Sequence, residues 1–453
     1  MRKWLAIWSL LVTFAVVASA APAASSPAVS LDECVIAALE NSPDVQSAAR
    51  RVESAQAMLK QAWSAYYPWV NVSANYARSD NPPQAFMMTL NQRSLNMMDP
   101  AFDPNNPDDT ENLRGSVGLQ WRLFDSGQRG ATKNMARFGA DASAQALAAA
   151  RNQLIHEVTR GFYGVLQAKA FLDVQSESVS SIEESLRVAQ ERFNAGSAVK
   201  TDVLNLETQL AQAREDQIRV RNGLQLAVAA LNTAIGDSLA TADNLRAPDV
   251  SLDAPPPECK DPNAFENRPE LKAARLMKKV KEQDLKKAQR SYGPTINAFA
   301  SSDWDSNVSS DFQQSYMVGV MADVNVFDGF RTRGAIRQAR AEYEAAKADE
   351  QKAINNLKLD LTQAFLGVRD AWERLDVTRK SVESAEEALR ITQEQYQQGA
   401  ADITILLTAQ VGRTAMRTRN VAAQYDYLIA LGNLDRARGA LVQRYVNDSK
   451  KQN

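Results

Sequence analysis

The chain has 453 residues, 45% of them hydrophobic, with 52 basic against 54 acidic side chains and a formal net charge of −2. That balance gives no basic surface for a nucleic-acid partner. Two cysteines and one histidine exclude a His/Cys metal cluster and a disulfide-dense small fold, so neither a metal nor a cofactor is expected.

The N-terminus reads as an export signal. Arg2 and Lys3 precede an apolar run from Trp4 to Val17, and Ala18-Ser19-Ala20 forms a small-x-small cleavage pattern. Residues 1–20 are therefore assigned to a signal peptide. The first cysteine, Cys34, is too far downstream of Ala20 for an N-terminal lipid anchor. No later stretch approaches the ~18 uninterrupted apolar residues of a membrane-spanning helix, which leaves a periplasmic protein or an outer-membrane β-barrel.

The first repeat is placed at 21–236. A helical opening segment, Leu31–Trp63, leads to a strand at about 67–77, where Val70, Val72, Ala74 and Tyr76 alternate with Asn71, Ser73 and Asn75. A long insert follows, read as a loop. Its pairs Met87-Met88 and Met97-Met98 are open to two readings, packing over a barrel mouth or soft-metal capture. A second strand at about 115–124 sets Val117, Leu119, Trp121 and Leu123 against Ser116, Gly118, Gln120 and Arg122. A long helical hairpin then covers about 131–236, turning at Asn194-Ala195-Gly196-Ser197. On its outward limb His156 reads as a surface or packing residue.

Residues 237–266 form a connector containing Pro255-Pro256-Pro257. The second repeat, 267–439, has strands at about 294–304 and 316–327 and a hairpin at about 335–439 that turns at Gln397-Gln398-Gly399-Ala400. Residues 440–453 are a C-terminal tail. The two repeats are a duplication: the separation of Phe124 and Phe327 recurs without a gap from Asn152/Asn355 through Gly164/Gly367 and Gly196/Gly399 to Gly236/Gly439.

At ~1.5 Å per residue, 131–194 spans ~96 Å and 335–397 spans ~95 Å, lengths that persist only with lateral packing. The return limb Thr201–Ile235 (~53 Å) and the opening helix (~50 Å) together match one long limb. The alternating runs have the ~9–11 residues a tilted transmembrane strand needs, with aromatic residues near their ends. Four strands cannot close a barrel, whose smallest members have about eight, so spanning a membrane requires several subunits. An ordinary soluble sheet with one wet face is the alternative.

Leu123-Phe124-Asp125-Ser126-Gly127 and Val326-Phe327-Asp328-Gly329 resemble the LFDGG motif of the outer-membrane efflux protein (TolC-like) family. Glu191-Arg192-Phe193 with Gly196 and Thr201-Asp202-Val203-Leu204, and Glu394-Gln395-Tyr396 with Gly399 and Leu406-Leu407, are similar to its hairpin-tip motif. The resemblance implies a mainly α fold with a β-barrel part, assembled as a homotrimer with a 12-stranded barrel in outer-membrane lipid and a helical periplasmic tunnel. It further implies an exit duct for drug efflux or type I secretion, with no enzymatic activity. Its partners would be a periplasmic adaptor, docking at the turns of Gly196 and Gly399, and an inner-membrane pump or ABC transporter. A periplasmic coiled-coil adaptor or scaffold is the competing reading.

For the tunnel tip, the resemblance implies a polar lock between Tyr396 and Asp202, with Thr201 beside it; Asp202 reads equally as a helix cap. The family's second-lock arginine is replaced by Ala401, and its constriction aspartates by Ile405 and Thr408, which implies a less acidic, more apolar constriction. Cys34 and Cys259, at comparable points of the two repeat openings, could pair in an oxidising compartment.

Overall fold

The computed structural model describes residues 28–100, 102–246, 263–308, 311–439 and 441. The signal segment, Cys259, the three connector prolines and nearly all of the C-terminal tail lie outside the described residues.

In chain order the elements are α1 (Leu31–Asn41), α2 (Pro43–Ser64), β1 (Trp69–Ser79), α3 (Pro82–Asn91), β2 (Thr110–Phe124), α4 (Gln128–Asn194) and α5 (Lys200–Ile235). A short 3-10 turn, Ala264–Asn267, leads into α6 (Pro269–Arg290), β3 (Thr295–Ser306), β4 (Gln313–Asp323), α7 (Arg331–Gln397) and α8 (Ile403–Arg438). The duplication is visible in the helix lengths: α4 and α7 have 67 residues each, α5 and α8 have 36, and α2 and α6 have 22.

The helices lie side by side. Near the strands α4 packs between α2 and α6, and α7 lies beyond α6; toward the hairpin turns α4 packs between α5 and α8, and α7 lies beyond α8. Thus α2 and α5 share one lane and α6 and α8 another. The outermost lanes are α2/α5 on one side and α7 on the other. Three apolar cores hold the array. One joins α1 and the end of α5 to the middle of α4 around Val35, Phe162 and Leu231. Its counterpart joins the start of α6 and the end of α8 to the middle of α7 around Leu271, Leu375 and Leu434. The third fills the tips.

The four strands form one antiparallel sheet in the order β1-β2-β3-β4, so β1 and β4 are its edges. Val70, Val72, Leu119, Trp121, Ala298, Val318 and Val320 share one face; Asn71, Gln120, Asn297 and Asp303 share the other. The apolar face is uncovered: Val72 is 77% and Val318 73% exposed. Phe299 lies on the polar face, where its ring covers Gly319; a Cβ at Gly319 would sit 2.5 Å from the ring.

Several elements differ from the sequence expectation. The opening helix is broken at Ser42-Pro43, where Pro43 starts α2 and its ring forbids a continuous helix. β1 begins at Trp69, after Pro68, and β2 begins earlier than expected, at Thr110, because Glu111 and Asn112 hide the strand behind polar residues. β4 stops at Asp323, leaving Val324 and Val326 outside it; its partner β3 starts at Thr295, after Pro294, which has no N–H to extend the ladder. The insert, read as a loop, contains α3.

Candidate functional site

Each long helix starts at a strand-to-helix corner built by the Phe-Asp motif. Asp125 accepts from the Gly127 amide (3.1 Å) and the Arg129 amide (2.8 Å), while the Arg129 guanidinium donates to the Leu123 carbonyl (2.9 Å). Ser126 and Gly127 both have positive φ (54° and 87°), as do Gly329 and Phe330 (64° and 67°). Two successive left-handed residues reverse the chain in both repeats. Asp328 accepts from the Thr332 amide (2.9 Å) and hydroxyl (2.5 Å), and those hydrogen bonds, led by the hydroxyl's, hold its carboxyl below the usual range.

Both hairpin turns are completed helix C-terminal motifs. Gly196 donates to Phe193 O (3.0 Å) and Ser197 to Arg192 O (2.9 Å); Gly399 donates to Tyr396 O (3.1 Å) and Ala400 to Gln395 O (2.8 Å). The two glycines carry φ of 75° and 77°, which explains why glycine stands at both turns.

The tip core brings together Tyr396, Ile403 and Leu406 with Ala189, Leu206 and Leu210, and Ala401 packs at its margin. Tyr396 is only 4% exposed, yet its hydroxyl has no hydrogen-bond partner among the described residues. The expected Tyr396–Asp202 bond is therefore not made within this chain. Burial, and secondarily the negative charge of Asp202, push the Tyr396 phenol up. What holds Tyr396 is Arg192, which sequence reasoning placed in the motif without a role. Its guanidinium lies 5.0 Å from the Tyr396 ring centre and donates to the Tyr396 carbonyl and, at 3.4 Å, to the Ser197 carbonyl. One arginine on α4 thereby ties both turns together.

Asp202 is not the cap of α5: Val199 occupies that position and Asp202 lies in the first turn, half-buried. The capping role falls to Asp402 in the second repeat, which accepts from the Thr404 amide (3.0 Å) and hydroxyl (3.3 Å). Thr201, Ile405 and Thr408 are exposed, and Ile405 and Thr408 follow one stripe of α8. Thr408 turns its hydroxyl back onto the Thr404 carbonyl (2.8 Å).

Above the tip core, α4 and α8 meet through polar groups. Gln410 donates to Ser185 (2.8 Å), Thr414 to Ser178 (3.1 Å), and Arg413 pairs with Glu177 (3.1 Å). Arg417 bridges Glu177 and Glu386. At the other end of α8, buried Arg268 pairs with Asp360 and Glu270, and Arg436 reaches Asp360 at 2.8 Å. Cys34 is buried, and burial raises its thiol to about 11. His156 is held below its usual range by burial and by Arg436 and Arg160. Among the described residues no cluster of three or more His, Cys, Asp or Glu could hold a metal, and no helix is long and apolar enough to cross a membrane.

The family model described as "Outer membrane efflux protein" matches residues 35–237 and 262–440. The chain is 23% identical over 424 residues to an outer membrane protein TolC of Vibrio cholerae serotype O1, covering 91% of each. It is 26% identical over 447 residues to protein CyaE of Bordetella pertussis, covering 92% of this chain and 89% of that one. Among solved structures, a membrane protein from Pseudomonas aeruginosa superposes with a TM-score of 0.79 at 22% identity, covering 90% of this chain and 93% of the other.

Proposed function

This chain belongs to the outer membrane efflux protein family, and from that premise we propose that it works as a homotrimer whose twelve strands close one barrel above a shared helical tunnel. It is an outer-membrane channel extending into the periplasm, an exit duct and not an enzyme. The observation that carries the trimer is a matching pair of open edges. The sheet ends in unpaired β1 and β4, which lipid does not tolerate. The helical array likewise ends in α7 and in the α2/α5 lane, and both carry uncovered apolar residues. Leu359, Leu366 and Val377 on α7 are 57%, 47% and 63% exposed; Met58, Ile218 and Leu226 on the opposite lane are 59%, 55% and 72% exposed. Joining unlike edges head to tail closes a ring; two copies would reach only the ~8 strands of the smallest barrels, whose interior side chains fill, whereas three leave a bore for a duct.

Within that assembly the tips form the periplasmic gate, with Tyr396 held by Arg192 and with Ile405 and Thr408 lining the constriction. Neither of the last two carries a charge, which supports an apolar, dewetting constriction over a cation-selective ring. The turns at Gly196 and Gly399 are the docking points for a periplasmic adaptor coupled to an inner-membrane pump or ABC transporter.

The orientation of the strands is tested by arginine substitutions. Val72→Arg and Val318→Arg place a charge toward lipid, at about 2–4 kcal/mol near the bilayer midplane, and should sharply reduce recovery in the outer membrane. Ser73→Arg, on the bore face, should be recovered at parental levels. Equal loss at all three positions would contradict the barrel.

A further inference from the structure

The insert between β1 and β2 is folded, and it is tied to the polar face of the sheet. Gln92, 5% exposed at the end of α3, donates to the Glu111 carbonyl (2.6 Å) and to Asn112 Oδ1 (3.0 Å). Asn112 in turn donates to Asp305 Oδ1 (2.7 Å). Asp305 is completely buried, lies 3.7 Å from the Arg114 guanidinium and leaves its second oxygen without a partner among the described residues. Arg93, whose φ is +54°, reaches past β3 to the carbonyl of Gln314 on the edge strand (3.0 Å). Asn112, Arg114 and Asp305 alternate with Leu113 and Trp304, so they belong to the face opposite the apolar one. In a lipid-embedded barrel that face is the bore.

We infer that α3 is a plug at the outer mouth of the channel, and that its uncovered stripe meets the same stripe of the two other subunits; this rests on the trimer proposed above. The stripe is Pro83, Met87 and Leu90, all exposed, with Met87 at 53% and Leu90 at 42%, while Ala85 on the inner side is buried. Twelve strands ~4.8 Å apart and tilted about 40° give a backbone radius of roughly 12 Å. A helix with its side chains is ~10 Å across. Three helices held on the inner wall therefore reach the axis, and the side chains that arrive there are Met87 and Leu90. They make an apolar ring that excludes hydrated ions by dewetting and selects what leaves the duct. Methionine suits this place because its unbranched side chain repacks around a passing solute.

The test is oxidative cross-linking of the intact trimer. Met87→Cys and Leu90→Cys, each compared with the parent chain and its own two cysteines, should give thiol-reversible linked subunits on the order of ten-fold above background, as expected for neighbours held at high effective concentration. Adding Gln92→Ala and Arg93→Ala cuts the ties from the loop side without touching the barrel, and should lower the cross-link several-fold. A trimer without cross-links at either position overturns the plug alone. Cross-links indifferent to Gln92 and Arg93 overturn the latch. Recovery only as monomer overturns the trimer, and the plug with it.

Discussion

Arg192 and the Tyr396 hydroxyl make opposite predictions for the gate. In Arg192→Ala each tip loses a cation–π contact of about 0.5–2 kcal/mol and a charged hydrogen bond to the Tyr396 carbonyl of about 1.5–3 kcal/mol. Arg192 is half-exposed, so a discounted figure of about 2 kcal/mol per tip is appropriate. Three tips give about 6 kcal/mol where their contributions add to one concerted opening, and about 5.5 kcal/mol suffices to move a two-state equilibrium from 99:1 to 1:99. The variant should populate an open tip. Tyr396→Phe removes a buried hydroxyl that has no partner, so the closed tip loses no hydrogen bond and is relieved of a desolvation cost of about 1–3 kcal/mol. Its gate should stay closed. Arg192→Lys keeps the charge without the planar stack and should fall between the two. Single-channel conductance of purified trimers in planar bilayers reads all three. If Tyr396→Phe raised conductance as much as Arg192→Ala, the lock would run through the phenol and its neighbour Asp202, and the present reasoning would fail.

Other perturbations follow from the same geometry. Arg268→Met removes a buried guanidinium, but Asp360 keeps Arg436 and Glu270 is partly exposed, so the array should lose only about 1–2 kcal/mol in denaturant unfolding. Gly236→Ala forces a left-handed φ of +77° on a side chain that would also meet Asn41 at 3.3 Å, and should cost about 1–2 kcal/mol. The Asp328 carboxyl is depressed in the folded chain, so its contribution is present above the unfolded value near ~3.9 and is lost as pH falls through the lower folded value. Protection of the amides in the first turn of α7, relative to their intrinsic exchange at each pH, should therefore fall only in acid, and Asp328→Ala should show the low protection at every pH.

Much of this architecture was readable because long-range order in the protein is written in local periods. Ungapped glycine pairs exposed the duplication, and period-two alternation located the strands to within a few residues. Proline set the errors: Pro43 divides an apparently continuous helix, while Pro294 ends a ladder that the valines of 324–326 continue on paper. The helix α3 was hidden by its insert, although Asn81-Pro82-Pro83 is a recognisable helix start. The tip was harder. Phe-Asp and Gly-turn motifs describe corners that neighbouring residues build, whereas Arg192 acts on Tyr396 across 204 positions, and no spacing announces that contact. Likewise, Val199 and Asp402 occupy equivalent positions, but only Asp402 caps with its side chain, so capping, one of the two roles open to Asp202, falls to the second repeat.

One chain is a third of a closed duct. The mass of the detergent-extracted outer-membrane protein, measured without heating, tests this most directly. A species of three subunits that collapses to single chains on heating is the predicted result. A stable monomer would leave the edges of β1 and β4 open in lipid, and a stable dimer would close only the ~8 strands of a barrel filled by its own side chains; either would contradict it.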